Sequence, residues 1–337
     1  MTTRHLRLGT RASALATSQS DWVADRLRAA GHQVELVPVR TEGDVSRASL
    51  QEIGGTGVFA SALRDALRRE DVDLAVHSLK DIPTAPEPGL TIAAVPERED
   101  PRDVLVARDG LTLAELPAGS VIGTGSPRRA AQLALARPDL QVRDIRGNVG
   151  TRINLVRDGE LDAVVLARAG LVRLGRLTDA TDTLDLDTML PAPGQAALAV
   201  ECRADDHELV ALLEDTLEHA PTRAAVTAER AVLAALEAGC TAPIAALATP
   251  ADALPATRAG HPSDSADGAL SLHVFVALQD SSQRHEATGS DPVALGHEVA
   301  QELLDQQLLS RPDPAGHDAD RSRIPVARGA FEPEPDL

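Results

Sequence analysis

The chain has 337 residues, a length that allows two or three domains of about 100–150 residues each. Its formal net charge of −18 argues against a nucleic-acid partner, because a polyanion would be repelled. No apolar run approaches the roughly 20 residues of a membrane span, and two cysteines are too few for a disulfide framework. The N-terminus leads into a strand and not into an apolar signal segment, so we expect a globular cytoplasmic protein with reduced cysteines and no membrane partner.

The acidic surface carries a further hypothesis about the source. Of the 33 basic residues, 32 are arginine, and only Lys80 is lysine. Such a composition suits a protein kept soluble in concentrated salt, where screening removes the repulsion between its own charges. We therefore expect a salt-loving source.

The first third of the chain predicts an α/β unit. Strands and helices alternate in the order strand 5–9, helix 14–30, strand 34–39, helix 58–70, and strands 74–76 and 90–95. This βαβ opening favours a parallel sheet. Between the second strand and the second helix, the polar, glycine-rich residues 40–57 are either a mobile lid or a disordered connection.

A second α/β unit follows a charged crossover at 96–102 and ends at another crossover, residues 190–195. Its predicted elements are strand 121–122, helix 127–136, strand 141–145, a helix to 158, strand 163–166 and a short helix. Ser126 is placed as the N-cap of its first helix, with Pro127 as the first helical residue.

The rest of the chain predicts a return to the first sheet and a third, smaller α+β unit. A strand at 197–201 precedes a helix at 205–219. Pro221 is expected to break that helix and Thr222 to cap the next one, which runs to about 238. We expect strands at 244–248 and 269–278, a last helix to about 309, an exposed loop at 257–268 and a disordered tail at 311–337. The expected domains are 1–96 with 197–216, 102–191, and 221–310.

One turn places several chemical groups at a strand end. Leu74 to Val76 are apolar, and His77, Ser78, Lys80 and Asp81 follow within five positions. Ligands of open α/β sheets lie at the carboxyl ends of the strands, so this turn is a candidate site. Asp81 is a candidate acid–base group. The alternative is a chance lysine with Asp81 as a loop cap, and His77 is expected to be a satisfied strand-end residue.

Three other turns combine small residues, arginine and a helix N-terminus: 9–13, 123–129 and 146–152. Helix N-termini and arginines both favour anions. Between 121 and 157 there are seven arginines and two acids; of these arginines, Arg137, Arg143 and Arg157 are expected on solvated faces. No Walker A motif is present, and Arg128 occupies a glycine position of the dinucleotide fingerprint, so a ligand with several carboxylates is favoured over a nucleotide.

The cysteines are ambiguous from local pattern alone. Cys240 follows a helix C-terminus, which does not lower a thiol pKa, so it is a poor general nucleophile. It could be an attachment point or a small buried residue. Cys202 is expected to be buried in a strand, and no metal site is predicted.

Together these stretches resemble the porphobilinogen deaminase family, also called hydroxymethylbilane synthase. The resemblance rests on six segments in family order and spacing: 8–13 (LGTRAS), 76–81 (VHSLKD), 123–129 (GTGSPRR), 146–152 (RGNVGTR), 191–195 (PAPGQ) and 237–240 (EAGC). It implies an α/β fold of two doubly wound lobes like those of periplasmic binding proteins, with a third, smaller α+β domain. The active site would lie in the cleft between the lobes.

The resemblance also implies the chemistry. Cys240 would carry a dipyrromethane cofactor through a thioether bond. Asp81 would assist loss of ammonia from porphobilinogen and stabilise the azafulvene cation and the cationic pyrrole that follows. Four porphobilinogens would be added in turn, in tetrapyrrole and haem biosynthesis, before water releases hydroxymethylbilane. The partner would be this small substrate, and we expect a monomer.

The remaining site residues follow from the same match. The acetate and propionate groups would be held by Arg11, Arg128, Arg129, Arg146, Arg152 and Arg173. Other cleft positions are Ser13, Ser78, Lys80, Thr124, Ser126, Gly147 and Gln195, and Phe59 stands at the end of the lid. The chain departs from the pattern at Glu52 and Thr56, where many members have lysines, so the lid would hold the ligand less tightly or depend on Arg47.

Two other functions stay open at the level of residues. A binding protein for a polycarboxylate would share the cleft and the arginines but need neither Asp81 nor Cys240. A thiol-dependent transferase would use Cys240 directly, yet no base is evident near it in sequence.

Overall fold

The computed structural model describes residues 3–39, 58–238, 242–251, 268–277 and 282–305. The predicted lid residues Arg47, Glu52 and Thr56, the attachment residue Cys240, the predicted 257–268 loop up to residue 267 and the 311–337 tail lie outside the described residues. Phe59 falls within a described helix.

The elements are as follows in chain order. The strands are β1 (His5–Arg11), β2 (Gln33–Val39), β3 (Leu74–Ser78), β4 (Leu90–Ala94), β5 (Asp103–Ala107), β6 (Val121–Gly123), β7 (Gln141–Arg143), β8 (Ala163–Ala167), β9 (Asp182–Thr183), β10 (Leu198–Arg203), β11 (Ile244–Pro250), β12 (Leu270–Ala277) and β13 (Ser282–Gly289). The helices are α1 (Ala14–Ala29), α2 (Val58–Arg68), α3 (Pro127–Ala136), α4 (Val149–Arg157), α5 (Arg168–Arg173), α6 (His207–Leu217), α7 (Ala220–Ala235) and α8 (Pro292–Asp305).

Two five-stranded sheets form two α/β lobes, and a three-stranded sheet forms a smaller α+β unit. The strand orders are β2-β1-β3-β10-β4, β7-β6-β8-β5-β9 and β11-β12-β13. The first core lies between α1, α6 and the first sheet, where Leu8, Leu27 and Val200 are fully buried. Each such side chain contributes about 1.5–3 kcal/mol through burial. The predicted fold class is confirmed.

Each lobe combines parallel strands with one antiparallel strand that follows a crossover. β1 pairs in parallel with β2 and β3, as the βαβ opening predicts. β10 starts with Leu198 opposite Ser78, the last residue of β3, and so runs antiparallel. β5 likewise starts with Asp103 opposite Ala167, the last residue of β8. The chain therefore enters each sheet at the edge where the parallel strands end, which brings both crossovers to that edge.

A buried carboxylate joins the two crossovers to the third unit. Glu229 on α7 is fully buried and accepts hydrogen bonds from Arg98 Nη1 at 2.6 Å and from the backbone N–H of Gly194 at 2.6 Å. Its Oε1 also accepts from the backbone N–H of Ala248 on β11, at 3.0 Å. The charge is thus paired and hydrogen-bonded, as a buried carboxylate requires.

The sequence analysis made two errors in the third unit, one wrong expectation and one missed strand. Pro221 does not break a helix: α7 begins at Ala220, with Pro221 in its first turn and His219 as the N-cap that accepts from Thr222 N–H. Proline suits this position because the first-turn N–H groups have no intrahelical partner. The other error is β13, which was not predicted; its polar sequence alternates in burial at the edge of the third sheet.

Among the described helices, none is both long enough and apolar enough to cross a bilayer.

Candidate active site

The Asp81 turn, defined here as residues 78–83, lies at the carboxyl end of β3. Leu79 to Asp81 form one 3₁₀ turn, and Leu79 is buried while Lys80 and Asp81 are half-buried. The Leu79 N–H donates to the carbonyl of Ala197 at 3.0 Å, which ties the turn to the second crossover. Anchoring Leu79 inward leaves the two charged side chains at the edge of the sheet, where the sequence predicted a site.

A pocket beside this turn brings together three predicted site residues. Arg11, Ser78 and Asp81 line it, together with His77 and Gln19. Gln19 was not predicted; its Nε2 donates to Ser78 Oγ at 3.0 Å. The sequence signal for Gln19 is its position on α1: it is a polar residue at helical spacing from the apolar Val23 and Leu27, and all three are buried.

His77 lies in a buried cluster with Glu201 and Arg64, but the expectation of a satisfied side chain is not met, because its Nε2 has no hydrogen-bond partner among the described residues. His77 Nε2 lies 3.3 Å from Glu201 Oε2, and Arg64 Nη2 lies 2.9 Å from Glu201 Oε1. Burial acts to raise the pKa of Glu201, but the nearby His77 and the hydrogen-bonded Arg64 outweigh it and leave the pKa lowered. Arg64 lies on α2, so the cluster fixes that helix to the sheet.

Arg128 and Arg129 are buried around Asp103, a residue that the sequence analysis missed. Asp103 Oδ2 is 2.7 Å from Arg128 Nη2, and Asp103 Oδ1 is 2.7 Å from Arg129 Nη2. Burial opposes ionisation, yet the two arginines hold the pKa of Asp103 well below its usual range. An acid at the head of the wholly buried strand β5 was the available signal.

The same two arginines are only partly committed to protein partners. Arg128 Nη1 donates to the Leu190 carbonyl at 2.5 Å, and Arg129 Nη1 donates to the Val165 carbonyl at 3.1 Å. Their Nε atoms are buried with no hydrogen-bond partner in the described structure. Such donors are costly unless a ligand or water accepts from them.

Lys80 connects the two halves of the site electrostatically. Loss of hydration lowers the pKa of Lys80; Asp81 and Asp103 act to raise it, while Arg129 and Arg128 act to lower it. The Lys80 side chain therefore interacts electrostatically both with Asp81 of the first lobe and with the buried arginines of the second. The only lysine of the chain stands where the lobes meet.

The Arg146–Arg152 turn concentrates positive charge. Gly147 has φ +107°, and a Cβ there would lie 2.9 Å from Thr151 Cγ2, so the turn requires glycine. Its carbonyl accepts from Arg152 Nε at 2.8 Å. Burial, Arg129 and Arg146 lower the pKa of Arg152 to about 10, against the opposing effect of Asp144. Arg146 Nε is buried and has no hydrogen-bond partner within the described ranges, which again points to an acceptor from a ligand.

The other predicted site residues make structural contacts at the same edge. Ser13 and Ser126 are the N-caps of α1 and α3, so the prediction of Ser126 as an N-cap is confirmed. Thr124 Oγ1 accepts from the Ser126 N–H at 3.2 Å. Gln195 Nε2 donates to Asp103 Oδ1 at 2.8 Å. Arg173 Nη2 donates to the Ala196 carbonyl at 2.6 Å, and burial lowers the pKa of Arg173 to about 10, although Glu99 acts to raise it.

The arginines assigned to solvated faces are engaged away from this site. Arg137 pairs with Asp139 at 2.7 Å, Arg157 with Asp179 at 3.1 Å, and Arg143 donates to the Glu160 carbonyl at 3.0 Å. In the described part of the chain, no group of three or more His, Cys, Asp or Glu side chains is placed to hold a metal ion.

Comparison with known protein families identifies the family of this chain. The family model described as "Porphobilinogen deaminase, dipyromethane cofactor binding domain" matches residues 6–211. The model described as "Porphobilinogen deaminase, C-terminal domain" matches residues 223–305. The chain belongs to the porphobilinogen deaminase family.

Curated relatives match over nearly their full length. Porphobilinogen deaminase 1 of Streptomyces coelicolor is 54% identical over 323 residues, covering 91% of this chain and 97% of the relative. Porphobilinogen deaminase of Thermobifida fusca is 52% identical over 318 residues, covering 91% and 95%. Among solved structures, the methionine-binding protein MetQ is 13% identical and covers 63% of this chain and 89% of its own, with a TM-score of 0.41.

Family membership confirms the predicted activity, a hydroxymethylbilane synthase of tetrapyrrole biosynthesis that carries a dipyrromethane cofactor. A binding protein without chemistry is not favoured. The described residues also fit such a cofactor, since each of its pyrrole rings bears two carboxylates. The buried Nε–H groups of Arg128, Arg129 and Arg146 can donate to these carboxylates, and the crowded positive charge around Arg152 attracts them.

Proposed function

We propose that this chain condenses four porphobilinogen molecules head to tail, with Asp81 as the acid–base group and Cys240 as the cofactor attachment point. The observation that carries the proposal is the shared pocket of Arg11, Ser78 and Asp81, next to Lys80, whose charge interacts with Asp81 and with the buried Arg128 and Arg129 of the second lobe. A carboxylate is thus placed among groups that bind carboxylates.

Asp81 is proposed to serve two steps. When ammonia leaves porphobilinogen, the remaining fragment is a cation, and a fixed carboxylate stabilises the charge as it develops. The carboxyl group is half-buried and can pass a proton to the leaving amine and accept one from the ring after carbon–carbon bond formation.

The arginines are proposed to hold the ligand's acetate and propionate groups. Arg11 serves the pocket of the first lobe, and Arg146 and Arg152 serve the second. Arg128 and Arg129 offer one Nε–H each, because their terminal nitrogens bind Asp103 and backbone carbonyls. Lys80 adds positive charge where the lobes meet.

The dipyrromethane would be held by the arginines of the second lobe, and when bound it supplies the terminal pyrrole to which substrate is added. Arg173 and Gln195 are proposed to fix the second crossover, through Ala196 and Asp103, so that the lobes keep their spacing.

Several finer features are proposed with this function. The enzyme acts in the cytoplasm of a salt-loving organism, as a monomer, through domains bounded at 1–96 with 197–216, 102–191 and 221–310. The net charge of −18 supports the salt hypothesis, and the buried thiol of Cys202, whose pKa burial raises to about 12, is consistent with a reduced compartment.

Intact mass under denaturing conditions tests the attachment residue. We expect the purified protein to exceed its sequence mass by two linked pyrrole units, and Cys240→Ala to lose the excess and all turnover. Cys202→Ala is the matched control and should keep the added mass. An excess that survives in Cys240→Ala would refute the assignment of Cys240.

The role of Asp81 is tested separately. Asp81→Ala should keep the cofactor mass yet lose turnover of porphobilinogen, because attachment and catalysis depend on different residues. Normal turnover in this variant would show that Asp81 is not the acid–base group.

A further inference from the structure

The Asp81 turn rests on a helix of the third unit. Val226 and Arg230 are four residues apart on α7 and therefore share one face. Val226 is buried in one hydrophobic cluster with Leu79 and Ile82 of the turn. The same helix leads, a few residues later, towards Cys240.

Arg230 binds the backbone of the turn at three points. Its Nη1 donates to the Ile82 carbonyl at 2.9 Å and to the Leu79 carbonyl at 3.3 Å, and its Nη2 donates to the Pro83 carbonyl at 2.7 Å. A 3₁₀ turn of three residues leaves carbonyls without intrahelical donors, and Pro83 prevents the helix from continuing. The Leu79 carbonyl also accepts from the Ile82 N–H at 3.2 Å, whereas the Ile82 and Pro83 carbonyls lie just beyond the 3₁₀ turn. Arg230 therefore binds the carbonyls on both sides of Asp81.

Gly194 of the second crossover also packs against the turn. Gly194 has φ +72°, and a Cβ there would lie 3.3 Å from Leu79 Cγ and 3.4 Å from the Lys80 nitrogen. The Gly194 N–H donates to Glu229, the neighbour of Arg230 on α7. Two adjacent residues of one helix thus fix the turn and the crossover packed against it.

We propose that Arg230 is a positioning residue for the deamination, acting through the backbone of the turn to fix the Asp81 carboxylate. The inference rests on the proposed role of Asp81. A displacement of about 1 Å in a catalytic group costs on the order of 10²-fold in rate, so a clamp on this backbone controls turnover. The guanidinium is needed because its planar fork donates from two separate nitrogens, Nη1 and Nη2, whereas an ammonium donates from only one.

Arg223 offers a matched control on the same helix. Its Nη1 and Nη2 donate to the carbonyls of Ile92 and Ala93 at 3.2 and 3.1 Å, and it pairs with Glu218 at 2.8 Å. It therefore joins α7 to β4 by the same chemistry but does not touch the Asp81 turn. A purely structural role would give the two arginines similar effects.

The experiment compares Arg230→Met with Arg223→Met as holoenzymes whose cofactor content is verified by intact mass. We expect kcat to fall roughly 10- to 100-fold in Arg230→Met, with KM for porphobilinogen changed less than about threefold. Arg223→Met should keep kcat within about twofold, at a similar loss of thermal stability. Equal kcat in the two variants would overturn the proposal.

A double-mutant cycle separates positioning from general damage. Asp81→Glu already displaces the carboxylate by one methylene. The loss of kcat in the double variant Asp81→Glu with Arg230→Met should therefore be smaller than the product of the two single losses. Losses that multiply would overturn the proposal. If Arg230→Met does not accumulate folded, the same contrasts are read from Arg230→Lys, which keeps the charge but cannot reach all three carbonyls.

The two proposals fail differently. Normal turnover in Asp81→Ala would remove the acid–base role and the positioning role with it. An inactive Asp81→Ala beside a normal Arg230→Met would remove the positioning role alone.

Discussion

At the scale of single residues, Asp103 explains how two adjacent arginines can be buried together. It has no exposed surface and binds a terminal nitrogen of Arg128 and of Arg129 and the side-chain amide of Gln195. One carboxylate against two guanidinium groups leaves an excess positive charge at the site. That excess is what an anionic ligand can neutralise.

Replacing this carboxylate tests the arrangement. Asp103→Asn should lower the free energy of unfolding at pH 7 by about 3–5 kcal/mol, because two buried cations lose their counter-charge. Urea unfolding measures the change. Asp139→Asn removes an exposed partner of Arg137 and should leave the urea midpoint nearly unchanged, because solvent screens this pair.

The destabilisation caused by Asp103→Asn should depend on pH with a definite sign. The pKa of Asp103 is lowered in the folded protein, so its contribution is fully present above the unfolded value of about 3.9. That contribution is lost as the pH falls from there towards the folded pKa. We expect the stability difference between the parent protein and Asp103→Asn to shrink between about pH 4 and pH 2; a constant difference would contradict the assignment.

At the scale of elements, α7 joins the first and third sheets and both crossovers. Through Glu229 it holds Arg98 of the first crossover, Gly194 of the second and Ala248 of β11. Through Arg223 and Arg230 it holds β4 and the Asp81 turn. The helix that precedes Cys240 is therefore also the element that sets the positions of both crossovers.

Glu229→Ala should therefore be among the most destabilising single changes in the chain. It leaves Arg98 and two backbone N–H groups without their acceptor, at a cost of about 3–5 kcal/mol. Denaturant unfolding gives the value. Glu298→Ala, on the exposed face of α8, should stay within about 0.5 kcal/mol, and a similar loss in both variants would contradict this role.

At the scale of the whole molecule, an acidic protein encloses a basic site. The net charge is −18, yet arginines crowd one another where the lobes meet. Salt screens both sets of interactions, since the screening length falls from about 10 Å at 0.1 M to about 3 Å at 1 M. The effects on stability and on substrate binding should have opposite signs.

Raising KCl from about 0.1 to about 1 M should raise the midpoint of thermal unfolding and also raise KM for porphobilinogen. Relief of self-repulsion causes the first change, and weaker attraction of carboxylates causes the second. Arg152→Met should show a smaller salt effect on KM than Arg143→Met, which removes an arginine bound to the Glu160 carbonyl outside the site. A KM that falls with salt would contradict the proposed binding role.

The sequence by itself determined most elements, the fold class and the Asp81 turn. Apolar periodicity and helix caps are local signals: Ser126, the predicted N-cap of α3, accepts from the N–H of Arg129, three positions away. The alternation of strand and helix can also be read locally, and it predicted the parallel pairing of β1 and β2. β13 and the start of α7 were missed because a polar edge strand and a first-turn proline resemble loop sequence.

Only the tertiary structure decided which distant groups meet. Arg230 is 147 residues from its acceptor Pro83, Gln195 is 92 residues from Asp103, and Gln19 is 59 residues from Ser78. No local pattern specifies such partners, because side chains on different elements approach only after the sheets pack and the crossovers set their relative positions. The family's motifs indicated which residues belong to the site, while packing determined that Asp103 commits the terminal nitrogens of Arg128 and Arg129 and that α7 supports Asp81.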